Sequence, residues 1–126
     1  HTGAIAHVVE QINAPIYATP LTRGLLEAKL SRGGLVNKVR MNTIQPGDTV
    51  WIGPFQVEFF HVCHSIPDGV GLGITTPAGL VIHTGDYKFD HTPVDGWPTD
   101  YAKLAHSSFP VLPFWPAARS GAWCRA

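Results

Sequence analysis

Apolar positions along this chain recur at two different periods, and the change of period divides it. In "HTGAIAHVVEQI", Ile5, Val8, Val9 and Ile12 follow a helical spacing, which predicts an amphipathic helix near residues 4–12. "APIYAT" is a short β-like run containing Ile16 and Tyr17. Thr19 then caps a second helix, predicted over 20–32, with Pro20 at its first position and Leu21, Leu25, Leu26 and Leu30 as its apolar stripe. Gly33 and Gly34 end it. From Pro46 the runs shorten: "DTVWIG", "FQVEFFHV", "GVGLGITTP" and "GLVIHTGD" predict strands near 48–52, 55–63, 70–76 and 79–84 in one sheet region. "TPAGL" supplies the turn of a hairpin. This order predicts layered α/β structure rather than a pure barrel, with both helices packed beside the sheet.

Composition agrees with a globular chain. Of 126 residues, 44% are hydrophobic and 14% charged, and 13 Gly and 11 Pro imply many turns. Nine Lys plus Arg balance nine Asp plus Glu, so no overall charge draws the chain to nucleic acid or an acidic membrane, although a local basic face remains open. No apolar run approaches the ~18 residues of a membrane span, and no secretory leader pattern is present. Cys63 and Cys124 give no disulfide framework, and a cytoplasmic setting is expected. The chain starts on His1, and its one methionine is Met41, which reads as part of a longer protein.

The candidate chemistry lies in "HVCHSIPDG" and "VIHTGDYKFD". Strand parity places Phe59, His61 and Cys63 on one face and Phe60, Val62 and His64 on the other, so "HVCH" does not form a local zinc knuckle. His61 is expected as a strand residue near solvent, and Cys63 as a small buried hydrophobe. His64 stands at a strand exit, where Pro67 and Gly69 turn the chain. Gly85 delivers Asp86 to a second exit, and the two residues are expected to converge at one edge of the fold. An imidazole and a carboxylate together suit a divalent transition metal; a plain His–Asp hydrogen bond at a loop is the alternative. Ser65 and Asp68 are expected to fix the turn after His64, with Ser65 near enough to approach a phosphate. His83 reads as support for a neighbouring ligand. Lys88 and Arg23 are either contacts to an anionic partner or, more commonly, solvated surface charge.

The motifs "HTGA", "PIYATPLTRGLLEAKL", "HSIPD" and "HTGDYKFD", in this order, resemble the ribonuclease J family of β-CASP metallo-hydrolases over residues 1 to about 106. The resemblance implies a partial metallo-β-lactamase fold, an αββα sandwich lacking its N-terminal portion. It also implies cleavage of RNA phosphodiester bonds at a two-zinc site, with Mg or Mn as substitutes. It assigns His1, as the last histidine of the family's HxHxDH motif, together with His64 and Asp86, to metal binding; Asp86 would bridge both ions, and His64 and Asp86 would be catalytic. Thr2 and Cys63 depart from the family pattern. The histidines and aspartate that precede His1 in the motif, and the distal ligand, are absent from this sequence, so the chain alone is expected to be inactive, and its parent is expected to be a homo-oligomer. Two other readings stay open: a hydrolase of the same fold acting on thioesters or β-lactams, and a non-catalytic α/β scaffold.

The last twenty residues break the pattern. "SSFPVLPFWPAARSGAWCRA" contains Pro110, Pro113 and Pro116, each without a backbone donor, where relatives continue into a strand. Residues 1–106 are therefore expected to be a partial domain and 107–126 a divergent, poorly ordered tail, attributed to a frameshift or assembly artefact, with a genuine divergent terminus as the alternative.

Overall fold

The structure, a computed structural model, describes residues 2–106. The expectations for His1 and for residues 107–126 lie outside the described residues.

The longest helix follows its sequence signals. It spans Pro20–Arg32 (α2), with Thr19 extended at its N-cap and Pro20 at its start, where a missing N–H costs nothing. Its end is a double hydrogen bond: the Leu35 amide donates to the Leu30 carbonyl at 2.9 Å and the Gly34 amide to the Ser31 carbonyl at 3.1 Å. This closure needs a left-handed residue, and Gly34 supplies it at φ 67°. Leu26 and Leu30 are fully buried, and each contributes about 1.5–3 kcal/mol by leaving water. Leu21 and Leu25, in contrast, stay exposed, so the buried stripe is narrower than the sequence predicts.

The first predicted helix is corrected by the structure. Regular α-helix covers Ile5–Val8 alone (α1), after a 3-10 turn at Thr2–Ala4, and neither buries a residue. Val8 and Ile12 are 39% and 59% exposed. The apolar spacing is there, but among the described residues it is at most partly covered, and so short a helix gains little from propensity alone.

Two sheets follow. Ile16–Ala18 (β1) pairs in parallel with Met41–Thr43 (β2), a strand the hydrophobic pattern does not announce. Thr49–Ile52 (β3), Phe55–His61 (β4), Val70–Thr76 (β5) and Gly79–His83 (β6) form an antiparallel sheet in that order, close to the predicted bounds. The β5–β6 turn falls at Pro77–Ala78, within the predicted hairpin.

Side chains pack on both faces of the sheet. Val57 and Phe59 pack with Ile44, and Tyr17, Val50, Val70, Leu72 and Ile74 surround them, which joins the larger sheet to β1 and β2. On the other face, Phe60 lies across Gly71, where an added Cβ would come within 2.4 Å of the phenyl ring. A third helix, Tyr101–His106 (α3), reaches this face and pairs Lys103 with Glu58. The fold is mixed α/β.

Candidate functional site

Three strand ends meet at one end of the larger sheet. Pairing of His61 with Val70 and of Leu72 with His83 places the exit of β4, the start of β5 and the exit of β6 side by side. The loop after β4 carries His64; the turn after β6 carries Asp86. Hydrogen bonds lock the β4 exit. The Val62 amide donates to the Gly69 carbonyl at 3.0 Å, the Lys88 amide to the Cys63 carbonyl at 2.8 Å, and the Asp100 amide to the His61 carbonyl at 3.0 Å. The Cys63 amide donates to Thr99 Oγ1 at 2.9 Å. One of these bonds therefore ties the chain two residues beyond Asp86 to the residue before His64.

Both candidate ligands face solvent. His64 Nδ1 and Ser65 Oγ lie 2.9 Å apart, so Nε2 is the ring nitrogen that Ser65 does not engage. Asp86 is exposed and follows Gly85, whose φ of 62° makes the sharp turn possible. His83 is an exposed residue at the end of β6. Asp68 does more than fix its turn: its Oδ2 accepts the Leu21 amide of α2 at 3.1 Å. Lys88 pairs with Asp90 at 2.8 Å. The Asp90 hydrogen bond and charge hold the Lys88 ammonium above its ordinary range, while the same hydrogen bond and the Thr92 amide hold the Asp90 carboxyl below its own. Arg23 is engaged by Glu27 and by Thr43 Oγ1.

His61 corrects the sequence reading. It is 3% exposed, not near solvent; its ring stacks on Trp97 with centroids 4.4 Å apart, and its Nδ1 lies 3.0 Å from the Pro98 carbonyl. Cys63 is buried beside it, its Sγ donating to the Trp97 carbonyl at 3.3 Å. The segment Trp97–Asp100 is thus a wall of the site that sequence reasoning missed. "DGWPTD" reads as a turn, and no local signal says which strand it lies along.

A cleft of about 300 Å³ opens beside the loop, lined by His64, Ser65, Lys88, Asp90, Asp95 and apolar side chains including Ile66 and Val94. Its two carboxylates offset Lys88, so it is not a basic groove. In donor type, His64 and Asp86 suit a transition metal. In number they fall short: zinc takes four ligands, three of them from protein at catalytic sites, and among the described residues no group of three or more His, Cys, Asp or Glu could hold an ion. The described residues alone do not build a metal centre.

A mixed α/β chain with a His loop and an Asp turn at one end of an antiparallel sheet is the class defined so far. Over about 84% of its length the chain matches members of the ribonuclease J family. It is 43% identical to the ribonuclease J of Helicobacter pylori strain 26695 over 108 residues, covering 84% of this chain and 16% of the relative. It is 43% identical to that of Thermus thermophilus over 114 residues, covering 85% and 20%. With that of Corynebacterium glutamicum the identity is 46% over 107 residues, covering 83% and 14%. No protein-family model matches the chain. The chain thus spans no more than a fifth of the length of these curated relatives.

Proposed function

We propose that this chain is a segment of a metal-dependent ribonuclease that hydrolyses RNA phosphodiester bonds, and that it contributes His64 and Asp86 to the metal-binding end of a metallo-β-lactamase domain. The observation that carries the reading is the identity of 40–46% to ribonuclease J relatives along most of the chain. The hydrogen bond from Lys88 to Cys63, which draws the two loops together, supports it. The proposal extends to two zinc ions, with Mg or Mn as substitutes, whose chemistry is to activate a water and neutralise charge on the phosphate; His1, outside the described residues, would be a third ligand. Ser65 holds the His64 ring at Nδ1, and His83 and Lys88 stand near the same end of the sheet. With only His64 and Asp86 among the described residues, the isolated 126-residue chain is proposed to be inactive. RNA as the substrate, a homo-oligomeric parent and a cytoplasmic setting belong to the same proposal.

The test uses the longer protein that carries this segment. Metal analysis should find zinc in stoichiometric amount, and Asp86→Ala should lower hydrolysis of end-labelled RNA by about a thousandfold or more, the scale of several kcal/mol of lost barrier reduction. Full activity of Asp86→Ala, or hydrolysis of small esters but not RNA, would overturn the proposal.

A further inference from the structure

Asp68 combines two features. Among the described residues it is the one non-glycine residue at positive φ, 73°, a conformation that costs an ordinary side chain about 1 kcal/mol and that Asp tolerates better than most. Its carboxylate also reaches 47 residues back to accept the Leu21 amide. Leu21 lies in the first turn of α2, whose amides have no partner within the helix, and the Thr19 side chain at the N-cap makes no hydrogen bond there. The first turn of α2 therefore takes a capping acceptor from the His64 loop. A glycine at position 68 would meet the backbone demand alone; a side chain with a suitably placed oxygen meets both.

The neck of the loop is also fixed. Val62 and Gly69 close its neck, and a Cβ on Gly69 would lie 2.6 Å from the Val62 carbonyl oxygen. Thr99 and Lys88 hold Cys63, immediately before His64. The near side of the loop is thus anchored to the segments after Asp86, and its far side, four residues past His64, to α2. We infer that Asp68 is a positioning residue: by capping α2 from across the fold it sets the orientation in which His64 is presented. The value of that orientation rests on the reading of His64 as a metal ligand.

Nuclear magnetic resonance on the metal-free 126-residue chain tests this without a metal readout. With Asp68→Asn, which retains an acceptor oxygen, Leu21 amide exchange and the His64 ring signals, assigned through His64→Gln, should stay as in the unsubstituted chain. With Asp68→Gly, Leu21 exchange should rise about fivefold, the worth of a helix cap, and the His64 ring signals should move. Faster Leu21 exchange with unmoved His64 signals would make Asp68 a helix cap only; unchanged exchange would remove the cap as well. If Asp68→Gly does not fold, Asp68→Glu shifts the carboxylate by one methylene, and unmoved His64 signals there overturn the inference. Asp48→Gly is the control, since Asp48 Oδ2 accepts the Gln45 amide in a turn before β3 and glycine removes that acceptor. Movement of His64 in that control would show a response to general destabilisation and would also overturn it. Failure of the metal reading appears separately, in the metal content of the longer protein.

Discussion

The amide of Lys88 donates to the carbonyl of Cys63 at 2.8 Å, and through this bond the turn that carries Asp86 is fastened to the strand exit that carries His64. The pair comes from loops separated in the sheet by β5, and neighbouring strands lie about 4.8 Å apart. A direct backbone bond between the two exits brings them closer than strand spacing alone would.

Gly69 lies at the neck of the His64 loop, where an added Cβ would meet a backbone oxygen at 2.6 Å. That oxygen belongs to the backbone of Val62, whose amide is bonded to the Gly69 carbonyl, and backbone cannot turn aside as a flexible side chain can. Gly69→Ala should therefore destabilise the chain by about 1–3 kcal/mol, the usual cost of overpacking. A urea midpoint unchanged from the parent sequence would show that the neck relaxes.

Phe59 and Trp51 are both large aromatics of the same sheet, 4% and 68% exposed respectively. Phe59→Ala should cost about 3–5 kcal/mol, most of the stability of so small a domain. Trp51→Ser should stay within about 0.5 kcal/mol. Denaturant titrations that give the two substitutions equal cost would contradict the assignment of the core to the face joining β1 and β2.

The contrast between those residues shows how far the pattern of the chain carries. Alternation in "FQVEFFHV" and the turn residues around it locate β3 to β6 because a strand pattern and its punctuation are local. The helix predicted over 4–12 shrinks to Ile5–Val8 because its apolar face buries no residue among the described ones, which no spacing reveals. Strand β2 consists of Met41, Asn42 and Thr43, with no apolar alternation; its pairing with Ile16–Ala18 comes from the crossover of α2. Helix α3 is six residues long, below what periodicity can detect. At the site, parity separates His61 from His64, but the burial of His61 depends on Trp97, far along the chain, and so is not legible in the local pattern.

The Lys88–Asp90 pair sets a pH window. The carboxyl of Asp90 is held low by the Lys88 hydrogen bond, so its share of stability is present above the ordinary carboxylate value of about 3.9 and is lost as pH falls through the lowered folded value. The ammonium of Lys88 is held high by Asp90, so its share is present below about 10.4 and is lost as pH rises through the raised folded value. The difference in Tm between the parent sequence and Asp90→Asn should be flat between about pH 5 and 9 and close at both extremes. Because the pair is open to solvent, about 1 M NaCl should shrink it. A difference that widens in acid would reverse the sign of the argument.

Trp97 gives the last prediction, because it is half exposed and yet covers two buried groups. Its ring lies flat on His61 at 2° between planes, and its carbonyl accepts the Cys63 thiol. The next residue, Pro98, places its carbonyl 3.0 Å from His61 Nδ1. Removing the indole takes away the stacked pair, worth about 0.5–1.5 kcal/mol beyond its area, and frees the strap that the Trp97 and Pro98 carbonyls form over β4. In a Cys124→Ser background, so that Cys63 is the one thiol, Trp97→Ala should open this wall and speed reaction of Cys63 with a disulfide reagent several-fold, through local opening rather than global unfolding. Trp97→Phe keeps an aromatic ring and should recover most of the protection. Equal rates in all three chains would mean that Cys63 is shielded by the sheet itself and not by the segment that packs across it.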